Sequence, residues 1–160
     1  MLFSIPALAI IVLDQISKGI VLRAIPLHGS ISVIGDFFNL VHTRNRGMAF
    51  GLMNRPGSHL GFYLLVTATF VAVGVLIFWF LRLKHKDRPL ILPLSFVLGG
   101  ALGNLIDRLR LGEVVDFIDF FVGSCHWPAF NVADSAITVG TIWLAIQVLF
   151  FSSAKPLNTQ

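Results

Sequence analysis

An apolar run without a single charge extends over residues 61–81, and it constrains the fold more than any other feature of the sequence. A helix needs about 20 mostly apolar residues to cross the hydrocarbon core of a bilayer, and this run has that length. The rest of the chain is similar, because 56% of its 160 residues are hydrophobic and 12% are charged. A soluble domain needs more polar residues to cover its surface, so the sequence predicts an integral membrane protein.

Three further apolar segments complete a predicted bundle of four transmembrane helices. We expect spans at about residues 2–22, 61–81, 90–108 and 131–151, all within a single membrane domain over residues 1–160. The short segment 82–88 between the second and third spans holds four basic residues in seven positions. Because basic residues are enriched in cytoplasmic loops, we expect both termini in the cytoplasm and residues 24–59 and 109–130 on the periplasmic side.

The segment after the first span predicts a small β-sheet outside the membrane. Its side chains alternate with a period of two between residues 30 and 44, which is typical of strands. Gly29 and the Gly35-Asp36 pair are turn signals at the ends of the first strand. The predicted fold class is therefore a mainly α membrane protein, with four transmembrane helices and a small extracytoplasmic β-sheet cradle.

Several functional classes are disfavoured by what the sequence lacks. The net charge is +4, but the basic residues are scattered or lie beside apolar segments, so we expect no nucleic-acid partner. Cys125 is the single cysteine, which excludes an internal disulfide and a cysteine-rich zinc site. The five histidines are dispersed, and the sequence has no His-Glu-x-x-His, Gly-x-Ser-x-Gly or phosphate-loop motif. We therefore predict no metal and no cofactor.

Scarce carboxylates stand out in the apolar stretch 114–134, which contains Asp116, Asp119 and Asp134. A charge inside a membrane costs about 2.5 to 3.5 kcal/mol on insertion scales, so such residues are functional candidates. Asp116 and Asp134 lie on opposite arms of a predicted loop that leaves and re-enters one membrane face, and they can therefore meet. Two close carboxylates tend to share one proton, which provides an acid and a base for peptide hydrolysis.

Two further groups of polar residues lie on the first and third predicted helices. Asp14 and Lys18 are four residues apart on one helix face, and this pair either secures helix packing or supports a functional site. Asn104, Asp107 and Arg108 lie together near the outer end of the third span. They form either a supporting network or, for Asp107 and Arg108, an anchor at the membrane interface.

Other candidates flank these groups. Gly99 and Gly103 form a small-x-x-x-small pair that predicts close approach of another helix. Asn131 shares the first turn of the fourth helix with Asp134. Asn45 either binds a peptide backbone or a head group, or caps a turn. Buried acidic and basic residues also suit a small four-span transporter, so the residue chemistry alone leaves a peptidase and a carrier open.

Five short motifs occur in order along the chain. They are Asp14-Gln15-x-x-Lys18, Asn45-x-Gly47-x-Ala49-Phe50-Gly51, Gly99-Gly100-Ala101-x-Gly103-Asn104-x-x-Asp107-Arg108, Val115-Asp116-Phe117 and Phe130-Asn131-x-Ala133-Asp134. Together they resemble the five blocks of bacterial lipoprotein signal peptidase, also called signal peptidase II. The resemblance covers nearly the whole chain.

The resemblance implies an inner-membrane aspartic endopeptidase, without a metal, that removes the signal peptide of a diacylglyceryl-modified prolipoprotein before its lipobox cysteine. It implies a catalytic dyad of Asp116 and Asp134. The residues that it implies as supporting groups or substrate contacts are Asp14, Lys18, Asn45, Gly47, Asn104, Asp107, Arg108, Asn131 and Ala133.

The resemblance also implies a short periplasmic amphipathic helix and inhibition by the cyclic peptide globomycin. We expect the protein to be a monomer in contact with membrane lipid. We interpret Asp119 as a neighbour that raises the proton affinity of the dyad.

Overall fold

The computed structural model describes residues 4–46, 60–83 and 85–151. Its helices are α1 (Ser4–Ala24), α2 (Leu60–Arg82), α3 (Ile91–Leu111) and α4 (Val132–Ile146), with a 3-10 helix (His85–Leu90) before α3 and a π-helical segment (Gln147–Phe151) after α4. Four helical segments in these ranges are long and apolar enough to cross a membrane. The predicted bundle of four membrane helices is therefore confirmed.

Helix α3 lies at the centre of the bundle and packs against α1, α2 and α4. Its glycines allow this packing, because a Cβ atom at Gly99 would lie 2.8 Å from the carbonyl oxygen of Ala7 on α1. A Cβ atom at Gly103 would lie 2.7 Å from Oδ2 of Asp14 on the same neighbouring helix. The close helix approach that we predicted for this glycine pair is confirmed.

A four-stranded antiparallel sheet lies beyond one end of the bundle, with the order β1-β2-β3-β4. The strands are β1 (Ser30–Ile34), β2 (Phe38–Asn45), β3 (Val114–Val122) and β4 (Cys125–His126). The tight turn between β1 and β2 contains Asp36 at φ 58°, a left-handed conformation that aspartate tolerates better than most residues. The predicted strands after the first helix are confirmed.

The second half of the sheet differs from the expectation, because residues 114–126 were predicted as part of a loop and instead form β3 and β4. Val114–Val122 reads V-V-D-F-I-D-F-F-V, a run of β-branched and aromatic residues that favours a strand. Pairing with β2 satisfies the backbone of this buried run. The amphipathic helix implied by the resemblance is not among the elements that the described ranges contain.

The junction between bundle and sheet is built around the start of β3. Helix α3 continues past the predicted end at residue 108 to Leu111, and Gly112 ends it at φ 75° with its N–H bonded to Arg108 O. A buried apolar cluster then joins α1 to β3 through Val21, Ile25, Val115 and Phe117. This cluster fixes the position of Asp116, which lies between the last two of these residues.

Candidate active site

Asp116 on β3 and Asp134 in the first turn of α4 lie on either side of Asn131, the residue that caps α4. The Asn131 side chain donates a hydrogen bond of 2.7 Å from Nδ2 to Asp116 Oδ1. Its Oδ1 accepts a hydrogen bond of 2.9 Å from the backbone N–H of Asp134. A fully buried asparagine therefore connects the two carboxyl-bearing residues, and the sequence prediction that they can meet agrees with this geometry.

Asn131 is well suited to this position because asparagine is a favoured N-cap residue. Its backbone is extended, and its side chain satisfies an N–H that the first turn of α4 would otherwise leave unpaired. Helix capping and the orientation of Asp116 thus depend on the two ends of one amide group. Asp134 also lies where the helix dipole stabilises negative charge.

Asn104 on α3 holds the second carboxyl group. It donates a hydrogen bond of 2.7 Å from Nδ2 to Asp134 Oδ1. Its own Oδ1 accepts a hydrogen bond of 3.0 Å from the ammonium group of Lys18. Each carboxyl group is therefore held through Oδ1 by an asparagine amide, and the second of these asparagines is oriented by a lysine on α1.

Lys18 is buried and makes two ion pairs. Its Nζ lies 2.8 Å from Asp14 Oδ2 on the same helix and 2.8 Å from Asp107 Oδ2 on α3. Asp107 also accepts a hydrogen bond of 3.2 Å from the backbone N–H of Val115, the residue before Asp116. All three groups are almost completely excluded from solvent, so removal of any one of them would leave a buried charge without its partner. The structure thus joins Asp14 and Lys18 to the group around Asp107.

Ala133 connects Asp14 to α4. Its backbone N–H donates a hydrogen bond of 2.9 Å to Asp14 Oδ1, and the residue is completely buried. A Cβ atom at Gly103 would lie 3.3 Å from the Ala133 methyl group. A larger residue at either position would separate α3 from α4 or displace the Asp14 carboxylate.

The remaining predicted residues differ in where they lie. The Asn45 side chain, at the end of β2, hydrogen-bonds with Asp116. Arg108 on α3 donates a hydrogen bond of 3.3 Å from Nη1 to Asn104 O, and the Asp116, Asp134 and Asp107 carboxylates all interact with its charge. Arg108 is therefore part of the site rather than only an interfacial anchor. Gly47 lies outside the described residues.

The pKa of Asp116 is raised from its usual 3.8 to about 6. The main cause is burial, which disfavours the charged form, and the negative charge of Asp134 acts in the same direction. Hydrogen bonds from Asn45 and Asn131 and the charge of Lys18 partly oppose this shift. The environment therefore favours a pair that retains one proton up to a higher pH than two ordinary aspartates would.

The hydrogen-bonding partners of the Asp119 carboxylate lie within the sheet. Asp119 is not among the groups that shift the pKa of Asp116. Its carboxylate instead contacts His126 Nδ1 at 2.9 Å and accepts a hydrogen bond of 3.2 Å from Asn39 Nδ2. Asp116 and Asp119 are three residues apart on a strand, an odd spacing that directs side chains to opposite faces. The Asp119 side chain on β3 thus connects this strand to β2 and β4.

Gln15 is a supporting residue that our sequence analysis did not single out. Its Nε2 donates hydrogen bonds of 2.9 Å to Asp107 Oδ1 and 3.2 Å to Gly103 O. Its Oε1 accepts a hydrogen bond of 3.1 Å from Arg110 Nη1. Its place beside Asp14 in the first motif was the available signal.

A pocket of about 530 Å³ opens beside Asp116. Its walls come from β2, from the segment before β1, from the turn between α3 and β3, and from the segment before α4. The lining residues are Leu27, His28, Thr43, Arg44, Asn45, Arg46, Glu113, Asp116, Pro128 and Ala129. The pocket is large enough for several residues of a peptide, and Asp116 is the member of the carboxyl pair that lines it. Within the described ranges, no group of three or more His, Cys, Asp or Glu residues is arranged to hold a metal ion.

Comparisons with known proteins match most of the chain to one protein family. A family model described as signal peptidase (SPase) II matches residues 6–150. A lipoprotein signal peptidase of Syntrophus aciditrophicus is 42% identical over 149 residues, which are 92% of this chain and 92% of that protein. One from Syntrophotalea carbinolica is 47% identical over 135 residues, which are 84% of this chain and 82% of that protein.

Solved structures agree with the sequence comparisons. A structure described as a bacterial membrane enzyme aligns with a TM-score of 0.81 at 31% identity and covers 98% of this chain and 93% of its own. A second structure with the same description has a TM-score of 0.79 at 32% identity, with 91% of each chain covered. The fold of four helices and a small sheet is therefore shared with bacterial membrane enzymes.

Proposed function

Because the chain belongs to the signal peptidase II family, membrane aspartic proteases that remove signal peptides from prolipoproteins, we propose that Asp116 and Asp134 are its catalytic dyad. The observation that carries this proposal is the position of Asn131, whose one side chain bonds both Asp116 Oδ1 and the backbone of Asp134. The family membership also decides between the two function classes that the residue chemistry left open, in favour of the peptidase.

The dyad acts by general acid and base catalysis. The ionised carboxyl group of the pair takes a proton from a water molecule, which attacks the carbonyl carbon of the peptide bond before the lipidated cysteine. The protonated carboxyl group then donates its proton to the departing nitrogen. The raised pKa of Asp116 supports such a division of roles, since it keeps one proton on the pair where two separate aspartates would both be ionised.

The surrounding residues position the dyad. Asn104 and Asn131 hold one oxygen of each carboxyl group, and Lys18 in turn holds Asn104. Asp14 and Asp107 form ion pairs with Lys18 inside the bundle, and the backbone N–H of Ala133 bonds Asp14 to the helix that carries Asp134. Asn45, Gly47 and Arg108 complete the proposed set, with Asn45 and Arg108 next to the carboxyl groups.

The dyad and the sheet are proposed to lie on the periplasmic side of the inner membrane. The sheet follows the end of α1 and joins the end of α3 to the start of α4, so it marks one end of the bundle. The opposite end carries the basic segment 82–88, which the positive-inside rule assigns to the cytoplasm. Both termini then lie on the cytoplasmic side, and a signal peptide anchored in the bilayer reaches the dyad from within the membrane.

Five further expectations belong to the same proposal. The enzyme acts as a monomer on a diacylglyceryl-modified prolipoprotein, it is in contact with membrane lipid, and globomycin inhibits it. It needs no metal ion. Cleavage in the presence of a chelator tests the last point, and a loss of activity that zinc restores would contradict it.

The dyad is tested with purified protein in detergent or lipid and a lipidated prolipoprotein as substrate. Asp116→Asn and Asp134→Asn should each lower cleavage by at least about a thousandfold, because a dyad missing either carboxylate loses its acid or its base. Asp36→Asn is the matched control, because it removes an exposed carboxylate from a turn whose left-handed backbone asparagine also tolerates.

Folding is checked by thermal unfolding of each variant. Cleavage by either dyad variant at the rate of Asp36→Asn would overturn the assignment of Asp116 and Asp134.

A further inference from the structure

The pocket beside Asp116 has an uneven distribution of charge. On one side, Arg46 Nε lies 2.6 Å from Glu113 Oε1, so these two lining groups form an ion pair. The neighbouring Arg44 also lines the pocket and is exposed, and its guanidinium forms no ion pair with any residue in 4–46, 60–83 or 85–151. Arg44 therefore provides a positive charge that no described residue neutralises through an ion pair.

The distance from Arg44 to the dyad is fixed by the sheet. Arg44 is the cross-strand partner of Val115, and Thr43 is the partner of Asp116. Adjacent strands are about 5 Å apart, so the backbone of Arg44 lies one strand and one residue away from that of Asp116. Because successive side chains of a strand alternate between faces, the Arg44 side chain leaves β2 on the face opposite to Asp116, and it lines the pocket as an exposed group.

We propose that Arg44 binds an acidic side chain of the substrate, within about four residues after the cleaved bond, a distance of ~13 Å in an extended chain. This inference rests on the proposed function. The segment before the cleavage site of a signal peptide is apolar and belongs with the membrane helices. The pocket lies on the sheet outside the bundle and offers polar groups such as Thr43 and Asn45, which suit the polar chain that follows the cleavage site.

A pair of substrates that differ at one position tests this subsite. Two diacylglyceryl-modified prolipoproteins carry either Glu or Gln at the third residue of the mature chain, and kcat/KM is measured for each. The wild-type enzyme should prefer the Glu substrate by about two- to fivefold, the range of a solvent-accessible ion pair. The preference should shrink when the salt concentration is raised from 0.1 M to 1 M, because the Debye length falls from about 10 Å to about 3 Å.

Substitution of the arginine should change the preference itself. Arg44→Gln should bring the ratio of the two kcat/KM values to about one, and Arg44→Glu should invert it. Arg23→Gln is the matched control, because Arg23 is an exposed arginine near the same end of the bundle that does not line the pocket. It should keep the wild-type ratio, and thermal unfolding verifies that every variant is folded.

The possible results separate the two proposals. If the wild-type protein cleaves both substrates at equal rates, or if Arg44→Gln keeps the preference for Glu, the acidic subsite is wrong while the dyad assignment stands. If Arg44→Gln lowers cleavage of both substrates equally, and only in bilayers with anionic lipid, Arg44 contacts lipid head groups and the proposal is overturned. If the wild-type protein cleaves neither substrate, both proposals fail.

Discussion

The ammonium group of Lys18 on α1 lies 2.8 Å from Asp107 Oδ2 on α3, so a salt bridge between two helices lies beneath the carboxyl pair. The same ammonium group contacts Asp14 at 2.8 Å and Asn104 at 3.0 Å. The two readings of Asp14 and Lys18, helix packing and support of a site, are therefore not alternatives. One lysine contributes to both, since it joins two helices and orients an asparagine that holds Asp134.

We expect Lys18→Ala to destabilise the protein by about 3 to 5 kcal/mol and to reduce cleavage, because it leaves two buried carboxylates without a cation. Thermal unfolding in detergent measures the first effect. Arg46→Ala is the control for stability, because its ion pair with Glu113 involves a side chain that is 68% exposed and should contribute at most about 1 kcal/mol. Normal stability with lost cleavage in Lys18→Ala would instead indicate a direct substrate contact.

Gly103→Ala should lower both stability and activity. The added methyl group would lie 2.7 Å from Asp14 Oδ2, so either the carboxylate moves away from Lys18 or α3 moves away from α1. Overpacking of this kind costs about 1 to 3 kcal/mol.

The matched control is Gly74→Ala in α2, where, among the described residues, no atom outside the adjacent backbone of α2 lies within 4 Å of the added Cβ. That variant should be at least as stable as the wild type, since alanine favours helix more than glycine does. Equal unfolding temperatures for the two variants would contradict the packing argument.

The helices could be predicted from the sequence because each span needs one long apolar run, and the runs are visible without any tertiary information. The strand β3 was not predicted, because the acids Asp116 and Asp119 interrupt the run of β-branched and aromatic residues that favours a strand. Once the strand is recognised, the odd spacing of these two acids separates their roles. The sequence therefore contained the reason that Asp119 lies apart from the dyad.

The partners of the polar residues were less predictable. Spacing places Asp14 and Lys18 on one face of α1, but it does not determine how α1 is rotated against α3. The contact from Lys18 to Asp107 and the hydrogen bond from Ala133 N to Asp14 depend on that rotation. Both require the close approach that Gly103 permits, so the site depends on packing between segments far apart in sequence.

Ionisation of Asp116 should lower the stability of the folded protein. Its folded pKa, about 6, is above the usual 3.8, so the folded state disfavours the charged form. The protonated Asp116 carboxyl group contributes about 3 kcal/mol to the free energy of unfolding. This contribution is fully present below pH 3.8 and is lost as the pH rises through about 6. Asp116→Asn removes this loss, because asparagine stays neutral and can still accept the hydrogen bond from Asn131.

The unfolding temperature of Asp116→Asn minus that of the wild type should therefore be larger at pH 8 than at pH 5. For Asp36→Asn, an exposed site, this difference should not depend on pH in that way. If Asp116→Asn were less stable than the wild type by the same amount at pH 5 and at pH 8, ionisation of Asp116 would not lower the stability of the folded protein.

The hydrogen bond between Asn45 and Asp116 should lower the upper pH limit of activity. The proposed mechanism needs one proton on the pair, so kcat/KM should fall as pH rises through an apparent pKa near 6 that belongs to the pair as a whole. The Asn45 hydrogen bond favours the ionised form of Asp116 and lowers its pKa. Asn45→Ala should therefore move this limit to higher pH, whatever it does to the maximal rate.

Asn39→Ala is the control, because Asn39 lies on the same strand but hydrogen-bonds to Asp119. The pH profile of Asn39→Ala should match that of the wild type. A shift to lower pH in Asn45→Ala, or an equal shift in Asn39→Ala, would contradict the role of Asn45 at the dyad.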